Sequence, residues 1–225
     1  MRSIASRLWP ERARIALSPD GVAGLGDSLS TLRRPRGAVE ITLSNRFARF
    51  LCLPWSTALR TEADWQSFAE HRFAELFGAR PAGYAILLSA SAIRSARLAC
   101  ALEPELIETI RQAVASAGHR LASLRPRFAA SFDCARRQIG RSEAWFVDQE
   151  PGQLTVGLAR EGQWRAVRQR HADAGWRERL AELLDREGEL AGADSVEKAF
   201  VATTEEADGF PEHIGRYAVF AMGHA

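Results

Sequence analysis

Phe146-Val-Asp-Gln-Glu-Pro-Gly-Gln-Leu-Thr-Val156 sets a Pro-Gly pair between two apolar runs, and the reading of the fold turns on it. Pro151 and Gly152 make a tight turn, because proline presets φ and glycine admits the positive φ that short hairpins need. The flanking runs predict strands over 144–147 and 153–160. Glu161-Gly162 then turns the chain into a further strand over 163–170, giving three consecutive antiparallel strands. Beyond them, 175–186 predicts a helix with Trp176, Leu180, Leu183 and Leu184 inward, and 199–203 and 217–222 predict the last strands.

Upstream, both periodicities occur. The stretch 61–77 predicts a helix that Thr61 or Asp64 caps and Gly78 ends. Its Trp65, Phe68, Ala69, Phe73, Leu76 and Phe77 recur at three- and four-residue spacing. Residues 104–117 predict a second helix, with Pro104 in the first turn and Gly118 just past the end. Its inward stripe is Leu106, Ile107, Ile110, Ala113, Val114 and Ala117. Strands are expected over 84–88, 95–102 and 121–126, and a helix over 128–139. Val39-Glu-Ile-Thr-Leu43 alternates as a half-buried strand does and reads as a hairpin with 47–53. Arg14-Ile-Ala-Leu17 and Val22-Ala-Gly-Leu25, around Ser18-Pro-Asp-Gly21, read as strand, turn, strand. The connector 27–37, with Arg33, Arg34, Pro35, Arg36 and Gly37, is the clearest internal boundary. The class is α/β with mixed sheets.

Composition narrows the function. The chain has 225 residues, enough for one large or two small domains. No apolar run approaches the roughly 20 residues of a membrane span. Arg2 and Arg7 interrupt Ile4, Leu8 and Trp9, so 1–10 lacks the apolar segment of a signal peptide, and a cytoplasmic location is expected. The same stretch is weakly amphipathic. It suits contact with an anionic membrane surface, or a disordered or partner-bound tail. Cys52, Cys100 and Cys134 are odd in number and far apart, and each sits among apolar residues, which reads as buried, reduced thiols. Net charge is +2 with both signs interleaved, which argues against a nucleic-acid-binding face.

Motif tests are mostly negative. The only lysine, Lys198, has no preceding glycines, so a P-loop is excluded, and no GxGxxG occurs. The histidines His71, His119, His171, His213 and His224 form no HExxH and no close pair, so no metal site is expected. Glu205 with Glu206, and Glu178 with Glu182, read as solvated carboxylates. Gly26-Asp27-Ser28-Leu29 spells the nucleophile block of GDSL esterases. There Ser28 would need a histidine base and an acid. The nearest pair, Asp208 and His213, has the wrong spacing, and a polar loop leaving a strand is the competing reading.

Four stretches taken in order resemble the actin-like proteins of bacterial type IV pilus and type II secretion platforms, the group of PilM, the GspL cytoplasmic domain and FtsA. Ile15 through Leu25 is similar to the opening hairpin, and Val39 through Trp55, with its Leu-Pro-Trp ending, to the start of an inserted subdomain. Cys100 through Ala130 is similar to that subdomain's last strand, helix and return strand, and Phe146 through Val156 to the strand re-entering the main subdomain. The resemblance implies a half actin-like, ribonuclease H-like main subdomain over 1–37 plus 129–225. It implies an inserted ββαββαβ-type subdomain over 38–128.

Actin-like ATPases hold phosphates with two glycine-bearing hairpins that usually begin with aspartate, where backbone N–H groups approach the phosphate. By the resemblance, Ser18 stands in the first aspartate's place. Asp148 is present in the second hairpin, but Glu150 stands where a glycine is expected. A carboxylate there repels a polyphosphate, and 225 residues leave no room for a second lobe. The resemblance therefore implies a scaffold with no catalytic residues and no cofactor. It would dock a protein partner, an inner-membrane component of the pilus or secretion machine, with Trp9 or Trp55 as contacts unless Trp55 packs in the core. The alternatives are a residual nucleotide-binding protein using Asp148 and an esterase using Ser28.

Overall fold

The computed structural model describes residues 12–32, 37–78, 83–90, 94–204 and 209–223. Three sheets organise them. In the first, β1 (Arg12–Leu17), β2 (Ala38–Leu43) and β6 (Arg120–Pro126) run parallel in that order. Parallel neighbours need crossover connections. A short helix, α1 (Leu25–Ser30), lies between β1 and β2, and all of 44–119 lies between β2 and β6.

That long excursion builds the second sheet from β3 (Arg49–Leu53), β4 (Ala85–Leu88) and β5 (Arg97–Leu102), antiparallel in the order β3-β5-β4. It also carries α2 (Glu62–Phe77) and α3 (Pro104–Ser116). Thr61 starts α2 with a reciprocal cap: Asp64 N–H donates to Thr61 Oγ1 at 3.1 Å, and Thr61 N–H donates to Asp64 Oδ2 at 2.8 Å.

After α4 (Arg127–Ile139) comes the third sheet. Its strands are β7 (Ala144–Glu150), β8 (Gln153–Arg160), β9 (Gln163–His171), β10 (Lys198–Thr203), β11 (His213–Ile214) and β12 (Tyr217–Gly223), with α5 (Leu180–Ala191) between β9 and β10. The spatial order is β11-β12-β10-β7-β8-β9. β7, β8 and β9 form an antiparallel meander, whereas β10 and β12 run parallel to β7.

The largest apolar cluster joins all three sheets. It takes Leu17 and Ile41 from the first, Phe50 from the second, Phe146 and Phe200 from the third, and Phe128 from α4. Phe128 sits at its centre, 5.4 Å between ring centroids from both Phe50 and Phe146 and 5.0 Å from Trp164. Each such aromatic pair adds about 0.5–1.5 kcal/mol beyond its buried area. Trp145, Val147, Leu180 and Leu184 seal α5 to the other face of the third sheet. Trp65, Ala69 and Phe73 seal α2 to the second.

The elements expected over 61–77, 84–88, 95–102, 104–117, 121–126, 128–139 and the three-strand meander are present to within a few residues. Several expectations are corrected. Ser18-Pro-Asp-Gly21 does not turn one strand into another. It forms a 3-10 turn, and the chain enters α1, whose Leu25 and Leu29 are buried four residues apart on one face. β2 and β3 are not a hairpin, since they belong to different sheets. The helix after β9 begins at Leu180 rather than at 175. Leu76 and Phe77 are exposed at the end of α2, as is Trp55, and Cys134 is exposed on α4.

The expected division into 1–37 plus 129–225 and 38–128 does not follow the sheets. β1 pairs with β2 rather than with any strand of the third sheet, and that sheet is built within 144–223 alone. The first and third sheets each contain three adjacent parallel strands, β1-β2-β6 and β7-β10-β12, and one apolar cluster joins the two sheets.

Gly157 on β8 marks the tightest packing. A Cβ there would collide with the Trp164 ring and stand 2.8 Å from Phe128 Cζ. We expect Gly157→Ala to lower unfolding free energy by about 1–3 kcal/mol, since the fully buried Phe128 ring cannot withdraw. Urea denaturation checks this, and an unchanged midpoint contradicts it.

Candidate functional site

The residues singled out as remnants of phosphate hairpins, Ser18, Asp148 and Glu150, lie at the junction of the first and third sheets. Asp148 and Glu150 are two apart on β7 and therefore face the same way. Both are buried, Asp148 completely. A buried carboxylate is costly unless paired and hydrogen-bonded, and here the partners come from the turn after β2 and the start of α4.

Glu150 is held by that turn. Ser44 Oγ–H donates to Glu150 Oε1 at 2.6 Å, and Asn45 N–H donates to Oε2 at 2.7 Å. Asp148 Oδ2 accepts from Asn45 Nδ2 at 2.7 Å, and Oδ1 accepts from Arg127 Nε at 3.2 Å. Arg127 Nη2 also donates to the Gln149 carbonyl at 2.7 Å. Asn45 has no exposed surface and is used on every side. Its side-chain oxygen accepts from Phe128 N–H at 2.7 Å, and its carbonyl accepts from Gln169 Nε2 at 3.0 Å. One asparagine thus ties the turn after β2 to α4, β7 and β9.

Above this network lies a cleft of about 240 Å³ lined in part by Ser18, Asp20, Arg46, Arg127, Glu150 and Thr204. Ser18 is exposed at its rim, and its carbonyl accepts from Gly21 N–H at 3.0 Å. The structure therefore brings Ser18 and Glu150 to one cleft, with Asp148 beneath. The backbone N–H of Asn45 and the hydroxyl of Ser44 are taken by the Glu150 carboxylate, and Arg127 is engaged by Asp148 and the Gln149 carbonyl. The Glu150 carboxylate fills the role of an internal anion and repels a second one.

Sequence reasoning missed Asn45. A turn asparagine carries no local signal. The available signal was Asp148 and Glu150 themselves, two acids spaced to share one face of a strand with apolar neighbours, which demand buried donors from elsewhere.

The other sequence candidates are dispersed. Ser28 lies in α1, exposed, with its hydroxyl donating to the Gly24 carbonyl at 3.2 Å, so the expected polar loop is a helix instead. His71 and His213 are exposed and His119 is half-buried. Glu178 and Glu182 are exposed, whereas Trp9, Glu205, Glu206, Asp208 and His224 lie outside the described residues. Among the described residues no group of three His, Cys, Asp or Glu side chains is placed to hold a metal ion. None of the described helices is long and apolar enough to cross a membrane. Burial pushes the Cys52 thiol up to about 11 and the Cys100 thiol up to about 12, so both stay protonated at neutral pH.

With this geometry in place, the fold is actin-like. It resembles the cytoplasmic domain of EpsL, an inner membrane component of the type II secretion system of Vibrio cholerae. The TM-score is 0.62 at 10% identity, over 95% of this chain and 90% of that one. It also resembles the PilM–PilN type IV pilus biogenesis complex, with TM-score 0.58, 16% identity, and 80% and 68% of the two chains covered. A third likeness is a Bacteroides thetaiotaomicron protein with an actin-like ATPase fold, with TM-score 0.56, 10% identity, and 89% and 76% covered. No protein-family model and no curated protein sequence matches the chain.

Burial is the main force on Asp148 and raises its pKa from 3.8 to about 6, against the pull of Arg127 and Asn45. Between those values the folded state holds more protons than the unfolded one. The contribution of Asp148 to stability is thus fullest below pH 4 and is lost as pH rises through 6. We expect the stability of the native protein relative to Asp148→Asn to fall by roughly 2 kcal/mol from pH 4 to pH 6.5. Denaturant titrations of both proteins across that range check it, and a pH-independent difference contradicts it.

Proposed function

We propose that this chain is a non-catalytic scaffold that docks a protein partner during assembly of a bacterial pilus or secretion machine, at the cytoplasmic face of the inner membrane. The observation that carries this is the occupation of the Ser44 and Asn45 donors by Glu150, over a buried Asp148 that is itself paired with Arg127 and Asn45. In a fold whose ATPases hold phosphate between two lobes, these groups instead fasten the first sheet to the third. Free Asp148 and free backbone donors would be needed for nucleotide work, and both are engaged. The likeness to a secretion component and to a pilus biogenesis complex supports the biological setting.

The competing reading of a nucleotide-binding homologue has a cleft of the right location but only about 240 Å³, with Asp20 and Glu150 on its walls beside Arg46 and Arg127. The esterase reading has Ser28 committed to its own helix backbone. Neither gains support from a specific contact.

A protein partner in the membrane is tested with inverted inner-membrane vesicles from the source bacterium. The chain should sediment with the vesicles, and trypsin treatment of the vesicles beforehand should abolish this. Equal sedimentation with protein-free vesicles of anionic phospholipid, or none with either, contradicts the reading.

A further inference from the structure

The third sheet contains a template for the first. In it β7 has β10 parallel on one side, followed by β12, and β8 antiparallel on the other. β1, β2 and β6 repeat the parallel half, with β1 in the place of β7. The place that corresponds to β8 is open. β1 ends its sheet, and among the described residues no strand pairs with its outer edge. Where the third sheet returns as a hairpin, the first leaves β1 by a 3-10 turn into α1. Among the described residues, the outer edge of this six-residue strand therefore presents a row of unpaired N–H and C=O groups, which is a template for another strand.

The two faces of β1 define what fits beside it. Ala13, Ile15 and Leu17 pack into the main core. Arg12 and Arg14 stand on the opposite face and share one carboxylate. Arg12 Nη1 lies 2.6 Å from Glu40 Oε1 and Arg14 Nε lies 3.4 Å from Oε2, so one positive charge is left over. The Arg14 side chain is 79% exposed. The same face continues into an open cavity of about 330 Å³ that Arg125 also lines. In an antiparallel pair, facing side chains stand about 5 Å apart. A strand laid on β1 would thus set alternate side chains beside Arg12 and Arg14, and the intervening ones beside Ala13 and Ile15.

We propose that the outer edge of β1 takes up an extended segment of a partner protein in which acidic and apolar side chains alternate, paired antiparallel to β1 as β8 pairs with β7. This rests on the docking function proposed above and assigns it a place and a chemistry. Strand addition supplies affinity through main-chain hydrogen bonds and specificity through alternate side chains. A second copy of this chain is a poor occupant. Antiparallel pairing about a twofold axis sets the Arg12 and Arg14 side chains of both copies on one face, where like charges repel.

The test uses the full chain and two fluorescent peptides, one alternating Glu and Val and one alternating Lys and Val, followed by anisotropy. The Glu/Val peptide should bind saturably and the Lys/Val peptide about tenfold or more weakly. Arg14→Glu should reverse that preference. Should Arg14→Glu fail to fold beside Glu40, Arg14→Gln should reduce Glu/Val binding while leaving the melting temperature unchanged. Amide exchange of 12–17 should slow when the Glu/Val peptide is added. Failure of that peptide to bind, equal binding of both, or indifference to the Arg14 variants overturns the assignment. So does slow exchange of 12–17 in the free protein, or a concentration-dependent dimer that protects those amides. Vesicle sedimentation does not involve the peptides, so sedimentation retained with peptide binding absent overturns the β1 assignment alone. Loss of sedimentation overturns the docking function itself.

Discussion

Two carboxylates buried on one strand are the constraint around which the rest of the protein is arranged. Asp148 and Glu150 cannot be left in an apolar interior without donors, and β7 has none to give them. Ser44, Asn45 and Arg127 supply the donors, and these lie on the turn after β2 and at the start of α4. The first and third sheets are therefore held in one relation by hydrogen bonds as well as by the Phe128 cluster. Breaking one partner of such a buried set typically costs several kcal/mol, because the other group stays buried and uncompensated. A lock of this kind opposes the opening and closing of lobes that a nucleotide cycle requires, whereas a docking scaffold gains rigidity from it.

The same arrangement explains why the first and third sheets differ at their edges. The third sheet is finished by β8 and β9, and β9 lies against the second sheet, with the Cys52 thiol donating to the Trp164 carbonyl at 3.3 Å. Among the described residues the first sheet has only its parallel strands. Its β1 edge is guarded by Arg12 and Arg14, charges of the sort that keep edge strands from pairing indiscriminately.

Much of this was legible from periodicity. Helices α2, α3 and α4, and the β7–β9 meander, follow from apolar spacing, caps and turn residues whose effects are local. What failed was pairing. Arg14-Ile-Ala-Leu17 reads correctly as a strand, but its partner lies across a crossover, and the flanking Ser18-Pro-Asp-Gly21 suits a 3-10 turn as well as a hairpin. Val39 through Leu43 and the strand after it are adjacent in sequence yet enter different sheets, because the 3-10 turn over Asn45–Phe47 carries the chain from one to the other. At the site, Ser18, Asp148 and Glu150 were identified from a family pattern, with Glu150 read as an obstruction. Its actual role, as the acceptor for Ser44 and Asn45, depends on a contact between residues more than a hundred positions apart, and no local pattern encodes that.

The engagement of Glu150 and Asp148 by the protein's own donors is tested most directly by calorimetric titration of the purified chain with Mg-ATP and Mg-ADP, with thermal unfolding run in parallel. If Glu150 fills the anion's place and Asp148 is committed to Arg127 and Asn45, neither nucleotide gives binding heat at millimolar concentration, and the melting temperature does not move. Micromolar binding with a rise in melting temperature would contradict this. It would mean that the first and third sheets part to admit a nucleotide and that the buried carboxylates are a latch rather than a lock.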